Sequence, residues 1–407
     1  MKIITLSFKY LWSRPLAAGL NVLLSALGVA SITLVLLTSS QIDHAFERDL
    51  KGIDVVVGAK GSPMQLILAG VFHIDTPAGN IPLAEVKALQ QDARIATLIP
   101  LSVGDSFRGF RIVGTTADYV THYEAVLANT AIKGVMFKAP LEAVIGVDVA
   151  TSTGLTVGNS FIGSHGLGAE GHAHGNTPYR VTGVLAPCSC VLDRLILTAT
   201  ESVWRVHEKA IEGDTPLDAE DLKAIAEDRE VTMALIRYKS PLAAVSFPRF
   251  VNTTTNMQAA APAIEITRLL RMVGVGTDVL RGFGAVLLLT AGLSVFIALW
   301  NAVRERRADL AMLRMLGASP QKVAGLLVCE ALWLALLASI LGLLLGHLLT
   351  AAVGYLLQVE KSLPVTGWIW LVDEWLIPAA AACVAVAAAL IPAIAAYRVD
   401  VQALLKS

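Results

Sequence analysis

Charge is what this chain has least of. Only 16% of its 407 residues are Asp, Glu, Lys or Arg, while 55% are hydrophobic; a soluble globular chain carries about a quarter charged. One large water-soluble core does not account for that shortfall, and membrane-spanning helices do. Neither sign is in excess. A formal net charge of -1 leaves no overall basic field, so no nucleic-acid partner is expected. Cysteine is scarce, with only Cys188, Cys190, Cys329 and Cys383, and the last two lie in apolar runs and read as small buried hydrophobes. A G-x-x-x-x-G-K-[ST] phosphate loop is absent; the glycine-rich GAKGSP at 58–63 has the wrong spacing, so no nucleotide hydrolysis is expected of this chain itself. A serine–lysine hydrolase is not expected either, because Lys60-Gly61-Ser62 offers no recognisable base-to-nucleophile geometry. No cleavable leader is expected, since the first apolar run is long and Thr38-Ser39-Ser40-Gln41 is a poor cleavage site.

Long uncharged runs are plentiful. Leu16–Thr38 holds 23 residues without a charge, Gly282–Val303 holds 22 and Trp375–Tyr397 holds 23. Each reaches the roughly 20 residues needed to cross ~30 Å of hydrocarbon. A fourth run, from about Pro320 to Tyr355, is broken only by Lys322, Glu330 and His347. The expected spans are 16–38, 280–303, 323–350 and 375–397. Lys2, Lys9 and Arg14 precede the first span, and Arg304, Arg306, Arg307, Arg314 and Lys322 fill the loop after the second. Arg398 and Lys406 follow the last span, whereas the loop between spans three and four has only Lys361. Positive charge marks the cytoplasmic side, so segments 1–15, 304–322 and 398–407 are assigned there. Residues 39–279 then form one extracytoplasmic domain of about 240 residues with stalk helices, and 351–374 form an outer loop. Trp368, Trp370 and Trp375 sit where an interfacial aromatic belt belongs.

The cytoplasmic loop RERRADLAMLRMLGASPQKV has its own logic. Leu310, Leu313 and Leu316 recur every three residues, with Arg307 and Arg314 on other faces, which describes a short amphipathic helix. Gly317 suits its C-terminal cap, and Ser319-Pro320 suits the start of the next helix. Such a helix either lies on anionic headgroups or enters a groove on a soluble partner, with its arginines setting orientation.

This loop resembles the one that follows the second span in the FtsX-like, MacB-type permease family. Arg304, Glu305, Arg307, Leu310, Leu313, Arg314, Leu316, Gly317 and Ala318 carry the pattern; Asp309 departs from it. The closing stretch IPAIAAYRVDVQALLKS resembles the family's end motif through Pro392, Ala395, Ala396, Ala403 and Leu404, and Glu330-Ala331 also matches. The resemblance is strongest over 265–407. It implies that the loop helix is a coupling helix docking on a separate ABC ATPase subunit, which alone would bind ATP and magnesium. It further implies a permease dimer in a bacterial inner membrane, multi-pass, with a large periplasmic domain.

Within the spans, Glu330 is expected to snorkel, to pair with a loop arginine, or to serve conformational coupling. Gly342 and Gly346 form a G-x-x-x-G stripe that could meet span two, span four or another subunit. His347 is expected at the interface. In the domain, DVVVGAK, FRIVGT, AVIGVDVA, YRVTGVL, RLILTA and TMALIRY read as strands, alternating with helices over 83–93, 118–128, 200–211 and 218–228. Residues 256–281 read as helix. The fold class is therefore an α-helical membrane protein with a large extracytoplasmic α+β domain between helices one and two. His165, His172 and His174, followed by Cys188 and Cys190, offer imidazole and sulfur for zinc, although the spacing fits no standard structural site. The two cysteines read equally as a local disulfide, free thiols or ligands.

The expected function is that of a permease subunit moving an envelope-side cargo, with no catalysis of its own. Two alternatives stand beside it: zinc-linked transport through the histidine loop, and signalling to a cell-wall hydrolase. A periplasmic adaptor, a lipoprotein or a metal-binding protein is the candidate outer partner, and the lipid membrane is the solvent of the spans.

Overall fold

The computed structural model of the chain describes residues 3–13, 15–127, 132–166, 177–211, 228–359 and 365–398. Two compact units divide it: Met1–Ile42 with Val273–Ser407, and Asp43–Met272. Among the described residues four helices are long and apolar enough to cross a membrane: Pro15–Leu50, Pro262–Glu305, Pro320–Leu357 and Val372–Tyr397.

In the first unit small residues set how closely helices approach. A Cβ added to Gly342 would stand 2.5 Å from Val29 Cβ and 2.7 Å from the Ala26 carbonyl; one added to Gly346 would stand 2.6 Å from Thr33 Cβ. The stripe therefore packs on the first long helix, not on span two, span four or another subunit as expected from sequence. That partner offers a matching shallow surface, because Ala26, Val29, Ala30 and Thr33 are buried. Polar contacts add direction. Ser294 Oγ lies 2.5 Å from Asn21 Oδ1, and Thr33 donates to the Val29 carbonyl of its own helix at 2.9 Å. At the far end of Pro320–Val359, His347 is not simply interfacial. Its ring nitrogens meet the Gly367 carbonyl at 2.7 Å and the buried Glu374 carboxylate at 2.8 Å, while Trp370 stacks on it at 5.4 Å. Trp368, Trp370 and Trp375 are exposed.

The second unit is an α+β domain built, among the described residues, on an 11-stranded sheet. The main path runs Met257–Ala260, Val55–Ala59, Met233–Tyr238, Ile95–Phe107, Phe110–Thr115, Leu195–Ala199, Glu142–Ile145, Tyr179–Leu185 and Ile132–Gly134. Two contacts are parallel, Leu195–Ala199 with Phe110–Thr115 and Glu142–Ile145 with Tyr179–Leu185. The remaining contacts are antiparallel. Val55, Val56 and Val57 are all buried, as a strand covered on both faces requires. Helices Leu83–Gln90 and Ala243–Thr254 supply Val86, Leu89, Phe247 and Val251 to one core. Val149 and Val206 join Phe110, Phe161 and Tyr179 in another.

Each strand-like run named above contains a strand, but AVIGVDVA turns into helix Val147–Thr153 after Ile145. Helices 83–93, 118–128 and 200–211 correspond to Leu83–Gln90, Ala117–Leu127 and Thr200–Ile211; most of 218–228 lies outside the described residues. The helix expected over 256–281 starts only at Pro262. Before it, Met257–Ala260 is a strand on Val55–Ala59, because Asn252 Oδ1 accepts the Ala259 amide at 2.6 Å and holds it extended.

His73 is a buried polar residue in this domain, with φ +54° and Nε2 3.1 Å from the Tyr119 hydroxyl. Burial, reinforced by the Arg111 and Arg194 guanidinium groups, lowers its pKa to about 3. Unfolded histidine titrates near ~6.5. The unfolded chain thus binds more protons between those values, and stability falls as pH drops from about 6.5 towards 3. Denaturant midpoints followed by near-UV circular dichroism should fall with acid in the wild type at up to about 1.4 kcal/mol per pH unit. His73→Gln should flatten that slope. In the first unit, Gly342→Leu should lower stability by about 1–3 kcal/mol through overpacking, read as a lower Tm in detergent.

Candidate functional site

The loop after the second long helix is built around one guanidinium. Helix Pro262–Glu305 ends, Arg306 leaves helical geometry at φ -99°, ψ 19°, and a new helix, Arg307–Met315, begins. Arg306 Nη1 lies 3.3 Å from Glu330 Oε1. Its Nη2 donates to the Tyr10 carbonyl at 3.1 Å and to Ser13 Oγ at 2.6 Å, and its Cζ sits 4.7 Å from the Tyr10 ring centroid. One side chain thus joins the start of the loop helix, the end of helix Ile3–Leu11 and the buried acid of helix Pro320–Val359. The Tyr10 carbonyl belongs to a helix C-terminus, where positive charge is favoured. Trp333 Nε1 donates to the Ile4 carbonyl at 3.3 Å, and Phe8 packs on Trp333 at 5.1 Å, so the N-terminal helix is tied to the third long helix at a second point.

The loop helix divides its apolar residues between two surfaces. Leu310 and Ala311 are buried, and Leu310 joins a core with Val323, Leu326 and Leu327. Leu313 is half-buried. Met312, Met315 and Leu316 are 55%, 55% and 79% exposed, and form the outward ridge. Arg304, Glu305 and Arg307 are exposed around it, Arg314 is half-buried, and Ala318 packs against the core. The leucine face expected from spacing is therefore corrected. Leu310 is used internally, because a short helix packed on helix Pro320–Val359 must bury one face; the outward ridge needs Met312 and Met315. Gly317 has φ +93°, a left-handed helix end that favours glycine. The Ser319 carbonyl accepts the Val323 amide at 3.3 Å, starting the next helix.

Spacing alone did not single out Arg306 among the loop arginines. Its signal was Glu330, whose burial inside an apolar helix demands a cation, and the fold delivers Arg306.

Among the described residues the second candidate site offers no metal-ligand set. Cys188 and Cys190 form a disulfide, so neither offers the thiolate a metal takes, and their assignment as ligands is withdrawn. His165 Nδ1 lies 3.1 Å from Asp105 Oδ1. His172 and His174 lie outside the described residues. Among the described residues no three of His, Cys, Asp and Glu converge to hold a metal.

Four long apolar helices, an arginine-rich loop helix and an α+β domain between the first two of those helices in sequence describe a membrane protein with one large non-membrane domain. Residues 281–401 match the FtsX-like permease C-terminal family, and residues 18–202 match the MacB-like periplasmic core domain. The chain belongs to the FtsX/MacB-type ABC transporter permeases. It is 32% identical over 98 residues to an uncharacterized ABC transporter permease of Methanocaldococcus jannaschii, a match spanning 24% of this chain and 25% of that relative. Among solved structures, the periplasmic region of MacB from Actinobacillus actinomycetemcomitans aligns at 10% identity and TM-score 0.34, covering 55% of this chain and 95% of that one. The extracellular domain of the noncanonic ABC-type transporter YknZ from Gram-positive bacteria aligns at 12% identity and TM-score 0.29, covering 50% and 98%.

Removing one partner of a buried ion pair leaves the other charge uncompensated. Glu330→Leu or Arg306→Met alone should each lower stability by about 3–5 kcal/mol, and the double variant should recover most of the loss. Thermal unfolding of the detergent-solubilised protein checks this, as a double-mutant cycle.

Proposed function

We propose that this chain is the membrane subunit through which a separate ABC ATPase drives an extracytoplasmic machine. The observation that carries the reading is the outward ridge of Met312, Met315 and Leu316, held on a loop helix that Arg306 anchors to Glu330. An exposed apolar ridge with exposed Arg304 and Arg307 suits a groove on a soluble protein. Anchored at Arg306, the helix would pass a push into the bundle as a rigid element. Two permeases with two ATPases form the assembly, and ATP and magnesium stay on the ATPase. The helices Pro15–Leu50 and Pro262–Glu305 carry the movement outward, and the cargo is taken from the envelope side. The membrane is the bacterial inner membrane.

Zinc-linked transport is the weaker reading. The cysteines are closed on each other, and His165 has a carboxylate beside it.

Position on the loop helix separates binding from folding. Leu316→Asp should weaken co-purification with the ATPase subunit of the same system at least ~10-fold, as loss of an interface anchor does, while Tm stays near the wild-type value. Leu310→Asp should instead lower Tm sharply and deplete the chain from membranes. If Leu316→Asp retains both full ATPase binding and full ATP turnover in nanodiscs, the docking role is wrong.

A further inference from the structure

The disulfide in the extracytoplasmic domain has the placement of a chemical site. Cys188 and Cys190 are two residues apart, so the bond closes a very small ring. A crosslink stabilises a fold mainly by shrinking the unfolded ensemble, and that effect is smallest for the shortest loops. Structural bracing is therefore a poor account of it. The single residue between the sulfurs, Ser189, is exposed and has φ +54°, a left-handed backbone that a non-glycine residue adopts only under constraint. Cys188 is half-buried and Cys190 is buried, so the two sulfurs are not equally open to attack.

The surroundings hold the loop whether or not the sulfurs are joined. The Cys188 amide donates to both Asp193 carboxylate oxygens, at 2.9 and 3.2 Å. The Val191 amide donates to Asp49 Oδ1 at 3.1 Å. Both ends of the turn are thus pinned independently of the S–S bond. The Cys190 amide points at Cys188 Sγ from 3.2 Å and Asp193 Oδ1 lies 3.3 Å from the same sulfur; the amide would stabilise a Cys188 thiolate once the bond is open.

We infer that Cys188–Cys190 is a thiol–disulfide exchange site for an external thiol, with Cys188 the attacked sulfur. A thiolate of the reductant attacks Cys188 Sγ; the new S–S bond forms there, and the Cys188–Cys190 bond breaks. Cys190 leaves as a thiolate and takes a proton from water. A second reductant thiolate attacks the reductant's sulfur in the mixed disulfide and releases Cys188. The chain gains two electrons, and two molecules of thiol become one disulfide. Because Asp193 and Asp49 keep the turn in place, the two cysteines stay adjacent and the reverse reaction closes them again. Val191 links this turn to Asp49, in the last turn of helix Pro15–Leu50, so opening acts next to that helix end.

The test uses the full-length wild-type protein in nanodiscs, equilibrated with glutathione buffers of graded redox ratio. Thiols are trapped by alkylation and assigned by peptide mapping, which keeps Cys329 and Cys383 separate, and near-UV circular dichroism follows the fold. The expected result is reversible opening and closing of the 188–190 pair with the dichroism unchanged. In acid-quenched samples, mixed disulfide with glutathione should fall on Cys188 at least tenfold more than on Cys190. Cys190→Ser should take up one glutathione and Cys188→Ser none. A pair that stays closed to excess dithiothreitol, or opens only as the dichroism is lost, overturns the proposal. Adducts found on Cys190 in place of Cys188 overturn the assignment of the attacked sulfur.

Discussion

A carboxylate inside an apolar helix needs a cation, and in this protein that need organises the end of the first unit that carries the loop helix. Glu330 is buried in a helix that otherwise reads as hydrocarbon. Water cannot solvate it there, so a guanidinium must, and Arg306 is the residue that does so. Meeting Glu330 draws Arg306 inward, interrupts the helical path between Glu305 and Arg307, and leaves its second nitrogen on the Tyr10 carbonyl and Ser13. The loop helix, the N-terminal helix and the third long helix thus share one electrostatic anchor. A surface ion pair would be screened and mobile; this one is neither exposed nor isolated.

The anchor gives the loop helix its two faces. Once Arg306 is fixed, Leu310 and Ala311 must turn inward, and Met312, Met315 and Leu316 must turn out. A helix with no internal contacts could lie flat on lipid with any face down. One clamped at the residue before its first turn presents a fixed ridge. The same economy appears in the bundle. Gly342 and Gly346 allow the first and third long helices to touch at backbone distance, where dispersion and the exclusion of lipid replace the hydrophobic effect.

One group of polar residues in the α+β domain is linked through the buried end of helix Pro15–Leu50. Asp49, His73, Tyr119, Tyr123, Asp193 and Arg194 are linked by hydrogen bonds and nearby charges, and the Cys188–Cys190 turn sits on their edge. Burial keeps His73 neutral and raises the Asp193 carboxyl above its usual range. Networks of this kind are stiff when satisfied and costly when broken. They are a natural seat for chemistry that must leave the surrounding fold intact.

Hydropathy alone was enough to read the four long helices, because a run of ~20 uncharged residues has few other destinations. The loop motif and its glycine stop were legible for a similar reason: capping chemistry is local, and Gly317 at φ +93° follows from it. The strand Ile95–Phe107 was not legible, since Pro100, Gly104 and Asp105 break every local strand pattern and only its neighbours on both edges hold it extended. Met257–Ala260 became a strand through a side chain on another element, Asn252. Which arginine meets Glu330, which leucine is spent inside, where Gly342 packs and whether the two sulfurs join are all decided by contacts distant in sequence. Composition and periodicity report the solvent each segment prefers; partners are chosen only when the chain closes on itself.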